Sequence, residues 1–167
     1  MIKTERIGHV VLKVRNLERS RTFYTEVLGM DVMMEIPAIP GVFLATNRRD
    51  HHEIALFEVG SAAEDLRARQ VGLAHIAFRL RDEKALRAAY AELKERRVPI
   101  SFTVNHGVTK SVYFSDPDGH ELEVYCDNSP EEIAKFQNPY MGMSKLEFAP
   151  DDPGVADVLA QFQQTPQ

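Results

Sequence analysis

The feature that most constrains the fold of this 167-residue chain is an internal repeat. Residues 7–14 (IGHVVLKV) have the same apolar, β-branched character as residues 73–80 (LAHIAFRL), and His9 and His75 occupy equivalent positions in the two segments. Runs of this kind are typical of buried strands. A repeat at such a long period indicates two copies of one supersecondary unit that bury a shared core.

A second pair of segments supports the repeat. Residues 52–57 (HEIALF) match residues 120–125 (HELEVY), so that Ala55 is the counterpart of Glu123. Each copy is interpreted as a strand, a helix and three further strands. Two such half-sheets can curl toward each other and enclose a cleft. The sequence therefore predicts an α+β fold of two βαβββ modules that form a half-open curved mixed β-sheet barrel with the helices outside.

The last hairpin of the second copy carries several chemically active side chains. Residues 116–119 (DPDG) combine a Pro that fixes φ with a Gly that accepts positive φ, which predicts a tight turn between two strands. His106 precedes this hairpin, and Tyr113 and Glu123 lie on its two strands. A carboxylate within the apolar run around Glu123 is costly to bury unless a cation compensates it. A metal ion would satisfy that requirement.

Composition excludes several classes of function. The net charge is −5 and no basic stripe with interleaved aromatic residues is found, which argues against nucleic acid as a partner. No apolar run reaches the roughly 18 residues of a membrane span, so we expect no membrane association. A single cysteine, Cys126, excludes an internal disulfide framework and favours a reducing, cytoplasmic location.

The repeat and the hairpin resemble a known superfamily. The βαβββ pair is similar to the vicinal oxygen chelate fold of glyoxalases, bleomycin resistance proteins and dioxygenases. The resemblance covers residues 5–127, as modules 5–59 and 73–127 of one domain, and leaves 128–167 as a C-terminal tail with short helices. The spacing of His106, Val112-Tyr113, Asp116-Pro117, Gly119 and Glu123 most resembles the motif of a single-domain type I extradiol ring-cleavage dioxygenase.

This resemblance implies a metal centre. Its ligands would be His9, His75 and Glu123, because Ala55 stands where glyoxalases offer a fourth ligand. Two histidines and one carboxylate with open positions are the triad associated with non-haem Fe(II). The expected cofactor is therefore Fe(II), with Mn(II) as the alternative metal. Each of these residues, taken alone, is also compatible with an ordinary strand position.

The resemblance also implies three catalytic residues. His52, in a His-His stretch, would accept and return protons, because an imidazole titrates near neutrality. His106 would hydrogen-bond a substrate oxygen or close the pocket, and Tyr113 would donate its phenol to the bound diolate. The alternatives are a polar turn at His52, a solvated loop at His106 and a core position at Tyr113.

The function expected from these residues is Fe(II)-dependent extradiol cleavage of a catechol-type vicinal diol with O2. Two alternatives remain open: a glyoxalase-like metal-dependent isomerase or lyase, and a metal-free drug-binding resistance protein. The isomerase requires a carboxylate base at the position of Ala55, and the binding protein has no need of the two histidines and Glu123. The expected partners are a catecholic small molecule, O2 and a second copy of the chain, in a homodimer or a higher homo-oligomer.

Overall fold

The computed structural model describes residues 1–36, 38–67, 70–138, 143–146 and 148. The chain divides into two compact units, which are described separately below. Unit 1 comprises Met1–Gln70 together with Pro117–Gly119, and unit 2 comprises Val71–Asp116 and His120–Gln167. No helix among the described residues is both long enough and apolar enough to cross a membrane.

Unit 1 has the predicted order of a strand, a helix and three strands. Its elements are β1 (Val10–Val14), α1 (Leu17–Glu26), β2 (Asp31–Ile36), β3 (Gly41–Ala45) and β4 (Ile54–Glu58). The strands form one mixed sheet in the order β1-β4-β3-β2, in which β1 and β4 are parallel and the other neighbours are antiparallel. Strand β1 begins at Val10, so His9 lies just before the strand and not within it.

The first helix is delimited by local side-chain chemistry. The Asn16 side chain accepts a hydrogen bond from Arg19 N at 2.8 Å, which satisfies one of the free donors at the helix start. The inner face of α1 buries Ser20 and Tyr24. The core of the unit is apolar and includes Val14, Leu44, Ile54, Ala55 and Leu56.

Unit 2 repeats this order and then extends it. Its elements are β5 (Ile76–Arg79), α2 (Glu83–Glu95), β6 (Ile100–Asn105), β7 (Thr109–Ser115), β8 (Glu121–Asp127), α3 (Pro130–Ile133) and β9 (Ser144–Lys145). The sheet order is β5-β8-β7-β6-β9, with β5 and β8 parallel. Within the predicted tail 128–167, the structure has the short helix α3; the positions after residue 148 lie outside the described residues.

The two faces of the second sheet differ in character. Leu86, Tyr90 and Leu93 of α2 are buried on one side, where Val112 and Phe114 of β7 are also buried. Because strand neighbours alternate faces, Tyr113 on β7 and Glu123 on β8 point to the opposite side. Tyr113 and Glu123 are direct partners across the antiparallel ladder, as the predicted hairpin requires.

The register of the two sheets confirms the equivalence that the repeat predicted. In unit 1, Ala55 pairs with Val11 of β1, and in unit 2, Glu123 pairs with Ala77 of β5. Both positions therefore lie on the fourth strand of a module, opposite the residue two places after the repeated histidine. The α+β class and the two βαβββ modules are confirmed by these elements and pairings.

Candidate metal and substrate site

In unit 2, a histidine and a buried carboxylate lie side by side. His75 precedes β5 and Glu123 belongs to β8, and the parallel pairing of these strands brings the two residues together. His75 Nε2 lies 3.1 Å from Glu123 Oε2, and the Glu123 side chain is 8% exposed while that of His75 is 40% exposed. An exposed imidazole beside a buried carboxylate is a pair of ligands that suits a divalent cation.

Tyr113 connects this pair to its surroundings. Its hydroxyl hydrogen-bonds with the Glu123 carboxylate and lies 3.2 Å from His106 Nε2. Its ring stacks on Phe102 with centroids 4.1 Å apart and contacts the His75 ring edge-on at 5.3 Å. Burial, followed by the nearby Glu123 charge, raises the pKa of Tyr113 well above its ordinary value. Tyr113 therefore keeps its phenol proton near neutral pH and can donate a hydrogen bond.

His106 lies in the turn between β6 and β7. Its backbone N donates to Thr109 O at 2.8 Å, which closes the turn. Burial lowers the pKa of His106, and although Glu123 acts in the opposite direction, the net pKa is below that of an ordinary imidazole. Near neutral pH His106 is thus a neutral ring that can accept a proton. We name His75, His106, Tyr113 and Glu123 the Glu123 cluster.

The structure adds Glu121 to the surroundings of this cluster, a residue that the sequence analysis did not select. Burial raises the pKa of Glu121, although hydrogen bonds from Ser101 and Ser115 oppose that effect. Its Oε1 is buried and accepts no hydrogen bond from the part of the chain that the structure describes. Strand alternation could have identified it, because Glu121 lies two residues from Glu123 and so shares its face.

In unit 1, three histidines form a second group, which we name the histidine cluster: His9, His51 and His52. The His9 and His52 rings have centroids 4.4 Å apart, and His51 Nδ1 lies 2.6 Å from His52 Nδ1. His52 is buried, and its ring stacks on Phe43 with centroids 4.2 Å apart. Burial lowers the pKa of His52, and the neighbouring His9 and His51 lower it further.

The hydrogen bond between the two adjacent histidines constrains both rings. One Nδ1 must donate and the other must accept, so this bond selects the tautomers and leaves each Nε2 outside it. The sequence analysis selected His52 from this His-His stretch. Strand β4 begins only at Ile54, so strand register could not decide between the two residues. The structure distinguishes them by burial, since His51 is exposed.

Sequence comparison identifies the relatives of this chain. The family profile described as "Glyoxalase/Bleomycin resistance protein/Dioxygenase superfamily" matches residues 6–124. The chain belongs to this superfamily. It is 36% identical over 141 residues to biphenyl-2,3-diol 1,2-dioxygenase 3 of Rhodococcus globerulus, an alignment that covers 83% of this chain and 73% of that protein.

Other superfamily members have different activities. The metallothiol transferase FosB of Staphylococcus haemolyticus is 28% identical over 144 residues, which cover 81% of this chain and 94% of FosB. Among solved structures, a glyoxylase/bleomycin resistance protein/dioxygenase domain from Frankia sp. superposes with a TM-score of 0.65 at 22% identity, covering 75% of this chain and all of that domain. The structural match supports the shared fold alone.

A superfamily member that holds a metal ion needs several ligand side chains directed at one position. The Glu123 cluster supplies an imidazole and a buried carboxylate, and Glu123 makes no ion pair with Lys or Arg among the described residues. A divalent cation beside Glu123 would offset the free-energy cost of burying that charge. No group of three or more His, Cys, Asp or Glu side chains with metal-binding geometry occurs among the described residues. The triad of His9, His75 and Glu123 therefore stays a prediction.

Proposed function

We propose that this protein is an Fe(II)-dependent extradiol dioxygenase that opens the aromatic ring of a catechol-type vicinal diol with O2. The carbon–carbon bond beside the diol breaks, and the oxygen atoms of O2 enter the product. The observation that carries the proposal is the pairing of His75 Nε2 with the buried Glu123 carboxylate, with the Tyr113 phenol beside them. The identity to a biphenyl-2,3-diol dioxygenase supports the choice of reaction.

The proposed metal ligands are His9, His75 and Glu123. The rings of His9 and His75, both exposed, and the buried carboxylate of Glu123 would be the three donors of the proposed facial triad. Fe(II) is the proposed metal, and Mn(II) is the alternative with the same ligand preferences. When bound, the ion would lower the pKa of a chelated diol and hold the diol and O2 in proximity.

The remaining residues of the Glu123 cluster bind and orient the substrate. Tyr113 keeps its proton because burial and Glu123 raise its pKa, so its hydroxyl donates a hydrogen bond to a diolate oxygen. His106 is neutral because burial lowers its pKa, and in the tautomer that carries its proton on Nε2 it donates a hydrogen bond to the Tyr113 oxygen, which keeps the phenol oriented and leaves the phenol proton for the substrate. These two residues would fix the orientation of the diol before the reaction.

His52 is the proposed acid–base residue. Burial and two neighbouring histidines lower its pKa, which keeps the imidazole neutral and able to accept a diol proton near neutral pH. Stacking on Phe43 and the hydrogen bond to His51 fix the orientation of the His52 ring. The proton returns from His52 to the product at the end of the reaction.

A second candidate is a metal-dependent transferase, which the similarity to FosB over nearly its full length supports. Such an enzyme would use the same ligands with a different substrate. A glyoxalase-like isomerase is less compatible with the chain, because Ala55 is fully buried at the position where a carboxylate base would be required. A homo-oligomer and the domain limits 5–127 remain predictions.

Oxygen uptake tests the proposal. The protein would be loaded with Fe(II) under anaerobic conditions and mixed with 2,3-dihydroxybiphenyl in aerated buffer while dissolved oxygen and visible absorbance are recorded. We expect oxygen consumption that matches the formation of a yellow ring-opened product. The His75→Ala variant should lose both, whereas Arg79→Ala, which removes an exposed side chain of β5, should retain both.

Three outcomes are distinguishable. Uptake with a ring-opened product supports the dioxygenase. Stoichiometric Fe(II) binding without uptake, for this substrate and for catechol, would favour the transferase. No metal binding at all would contradict the triad and favour a metal-free binding protein.

A further inference from the structure

Asn128 forms a hydrogen-bonded bracket around the turn that carries His106. Its side-chain Nδ2 donates to Asn105 Oδ1 and to Gly107 O, both at 2.9 Å. The same Asn105 Oδ1 accepts from Gly107 N at 2.9 Å, and Asn128 N donates to Val108 O at 2.9 Å. The residues immediately before and after His106 are thus tied to one side chain.

The bracket acts where the backbone is under conformational constraint. Gly107 has φ +85°, which a residue with a Cβ adopts only with strain. Asn128 is 5% exposed, so each lost hydrogen bond would leave a buried polar group without a partner. Breaking the bracket therefore costs free energy in the turn itself, and the turn sets the direction of the His106 ring.

The bracket supports the His106 ring, which belongs to the Glu123 cluster. His106 Nε2 lies 3.2 Å from the Tyr113 hydroxyl, and that hydroxyl also hydrogen-bonds with Glu123. A shift of the 105–107 backbone would move the His106 ring away from this hydroxyl. Because misplacement by about 1 Å can cost a hundredfold in rate, a rigid turn at this point has a catalytic consequence.

We propose that Asn128 is a positioning residue for the reaction: it holds the 105–107 turn so that His106 keeps its contact with Tyr113. Asn128 lies outside the 6–124 segment that the family profile matches, and within the described part of the chain it makes no hydrogen bond with His75 or Glu123. The effect of Asn128 on the reaction rests on the proposed dioxygenase function. The effect of Asn128 on the 105–107 turn does not depend on that function.

Two variants probe the bracket. Asn128→Asp keeps the size of the side chain but loses the NH2 donor, and it brings a carboxylate against two acceptor oxygens. Asn128→Ala removes the side chain altogether. As a control, Asn16→Ala removes the N-cap of α1, which destabilises unit 1 and leaves the His106 turn intact.

The first readout is structural and uses the metal-free protein. Two-dimensional NMR would follow the cross-relaxation between the His106 and Tyr113 rings, whose centroids are 6.3 Å apart. We expect Asn128→Asp to weaken or abolish this signal and Asn16→Ala to preserve it. An unchanged signal in both Asn128 variants would overturn the bracket, whether or not the protein is a dioxygenase.

The second readout is a double-mutant cycle on the turnover of 2,3-dihydroxybiphenyl by the Fe(II)-loaded protein. We expect Asn128→Asp to lower kcat about tenfold to a hundredfold in the native background, with Fe(II) affinity unchanged. In a His106→Ala background the same substitution should have little further effect, because the side chain that it positions is gone. Equal losses in the two backgrounds would overturn the positioning role. Absence of turnover in the native protein would instead contradict the proposed function and leave the NMR result as the test of the bracket.

Discussion

At the scale of single residues, Glu123 is the most informative side chain in the molecule. It is a carboxylate in the middle of a buried strand, and its partners among the described residues are the His75 imidazole and the Tyr113 phenol. Neither partner carries a permanent positive charge. A buried carboxylate in such surroundings is destabilising unless a cation binds. The proposed metal ion would supply that cation.

Replacing the Glu123 carboxylate should strongly weaken metal binding. Glu123→Gln keeps the shape of the side chain but removes the anionic ligand, so we expect Fe(II) affinity to fall by more than the ten- to hundredfold that loss of an outer-shell partner costs. Anaerobic titration calorimetry would measure this affinity. Glu121→Gln, on the same strand and face, is the matched control and should bind Fe(II) nearly as well as the native protein. Equal affinity of Glu123→Gln and the native protein would contradict the assignment.

His52 and His51 should differ sharply in their contribution to turnover. His52→Gln removes a buried imidazole with a lowered pKa, and we expect kcat to fall by about 10²- to 10⁴-fold, the range for loss of a general acid–base group. His51→Gln keeps a hydrogen-bonding side chain at the exposed position and should lose much less. Steady-state oxygen uptake with 2,3-dihydroxybiphenyl measures both. The roles would be reversed if His51→Gln proved the more damaging substitution.

At the scale of elements, the turn at Pro117–Gly119 is held by residues of the first unit, to which it belongs. The Asp118 side chain is 4% exposed and accepts hydrogen bonds from Arg19 Nη2 at 2.5 Å, Ser20 Oγ at 3.1 Å and Arg15 N at 3.2 Å. Burial alone would raise the pKa of Asp118, but these donors outweigh it and hold the pKa below its ordinary value. The sequence predicted this turn, but it could not predict the donors from α1, which are about 100 residues away along the chain.

The Asp118 anchor predicts a pH-dependent stability. Asp118→Asn should lower the free energy of unfolding by about 2 kcal/mol at pH 7, because a charged acceptor of several hydrogen bonds is lost. The lowered pKa means that this stabilisation is present above pH roughly 3.9 and disappears as the pH falls through the folded-state pKa. Urea unfolding at several pH values would measure both effects. Asp65→Asn, whose side chain is 94% exposed, is the control and should change stability by less than about 1 kcal/mol. A difference between Asp118→Asn and the native protein that grows toward acid pH would contradict the anchor.

The glycine of the same turn should be intolerant of a side chain for purely conformational reasons. Gly119 has φ +88°, and a Cβ added there would meet no atom within 4 Å. Gly119→Ala should therefore cost about 1–2 kcal/mol from backbone strain alone. Gly72→Ala, at a position that is equally open but without positive φ, should leave the midpoint of thermal unfolding nearly unchanged. Equal midpoints of thermal unfolding for the two variants would contradict this prediction, because the turn would then accept a side chain without a loss of stability.

At the scale of the whole molecule, the sequence predicted the two modules and the turn between β7 and β8, whereas its choice of functional residues stays a prediction. The apolar, β-branched runs and the DPDG turn each depend on neighbouring residues, and the repeat identified Ala55 and Glu123 as counterparts. The parts that it missed depend on pairings between distant residues. Strand β9 pairs two residues of the tail with β6, and Asn128 reaches back to the turn at Asn105. Neither contact has a local pattern from which it could have been inferred.

Labelled oxygen gives the most direct test of the central claim. The Fe(II)-loaded protein would turn over 2,3-dihydroxybiphenyl under ¹⁸O₂, and mass spectrometry would analyse the product. A dioxygenase at the proposed site predicts a ring-opened product that carries ¹⁸O from the gas. A product without ¹⁸O, or a diol whose ring stays closed while the protein retains Fe(II), would contradict the proposed reaction.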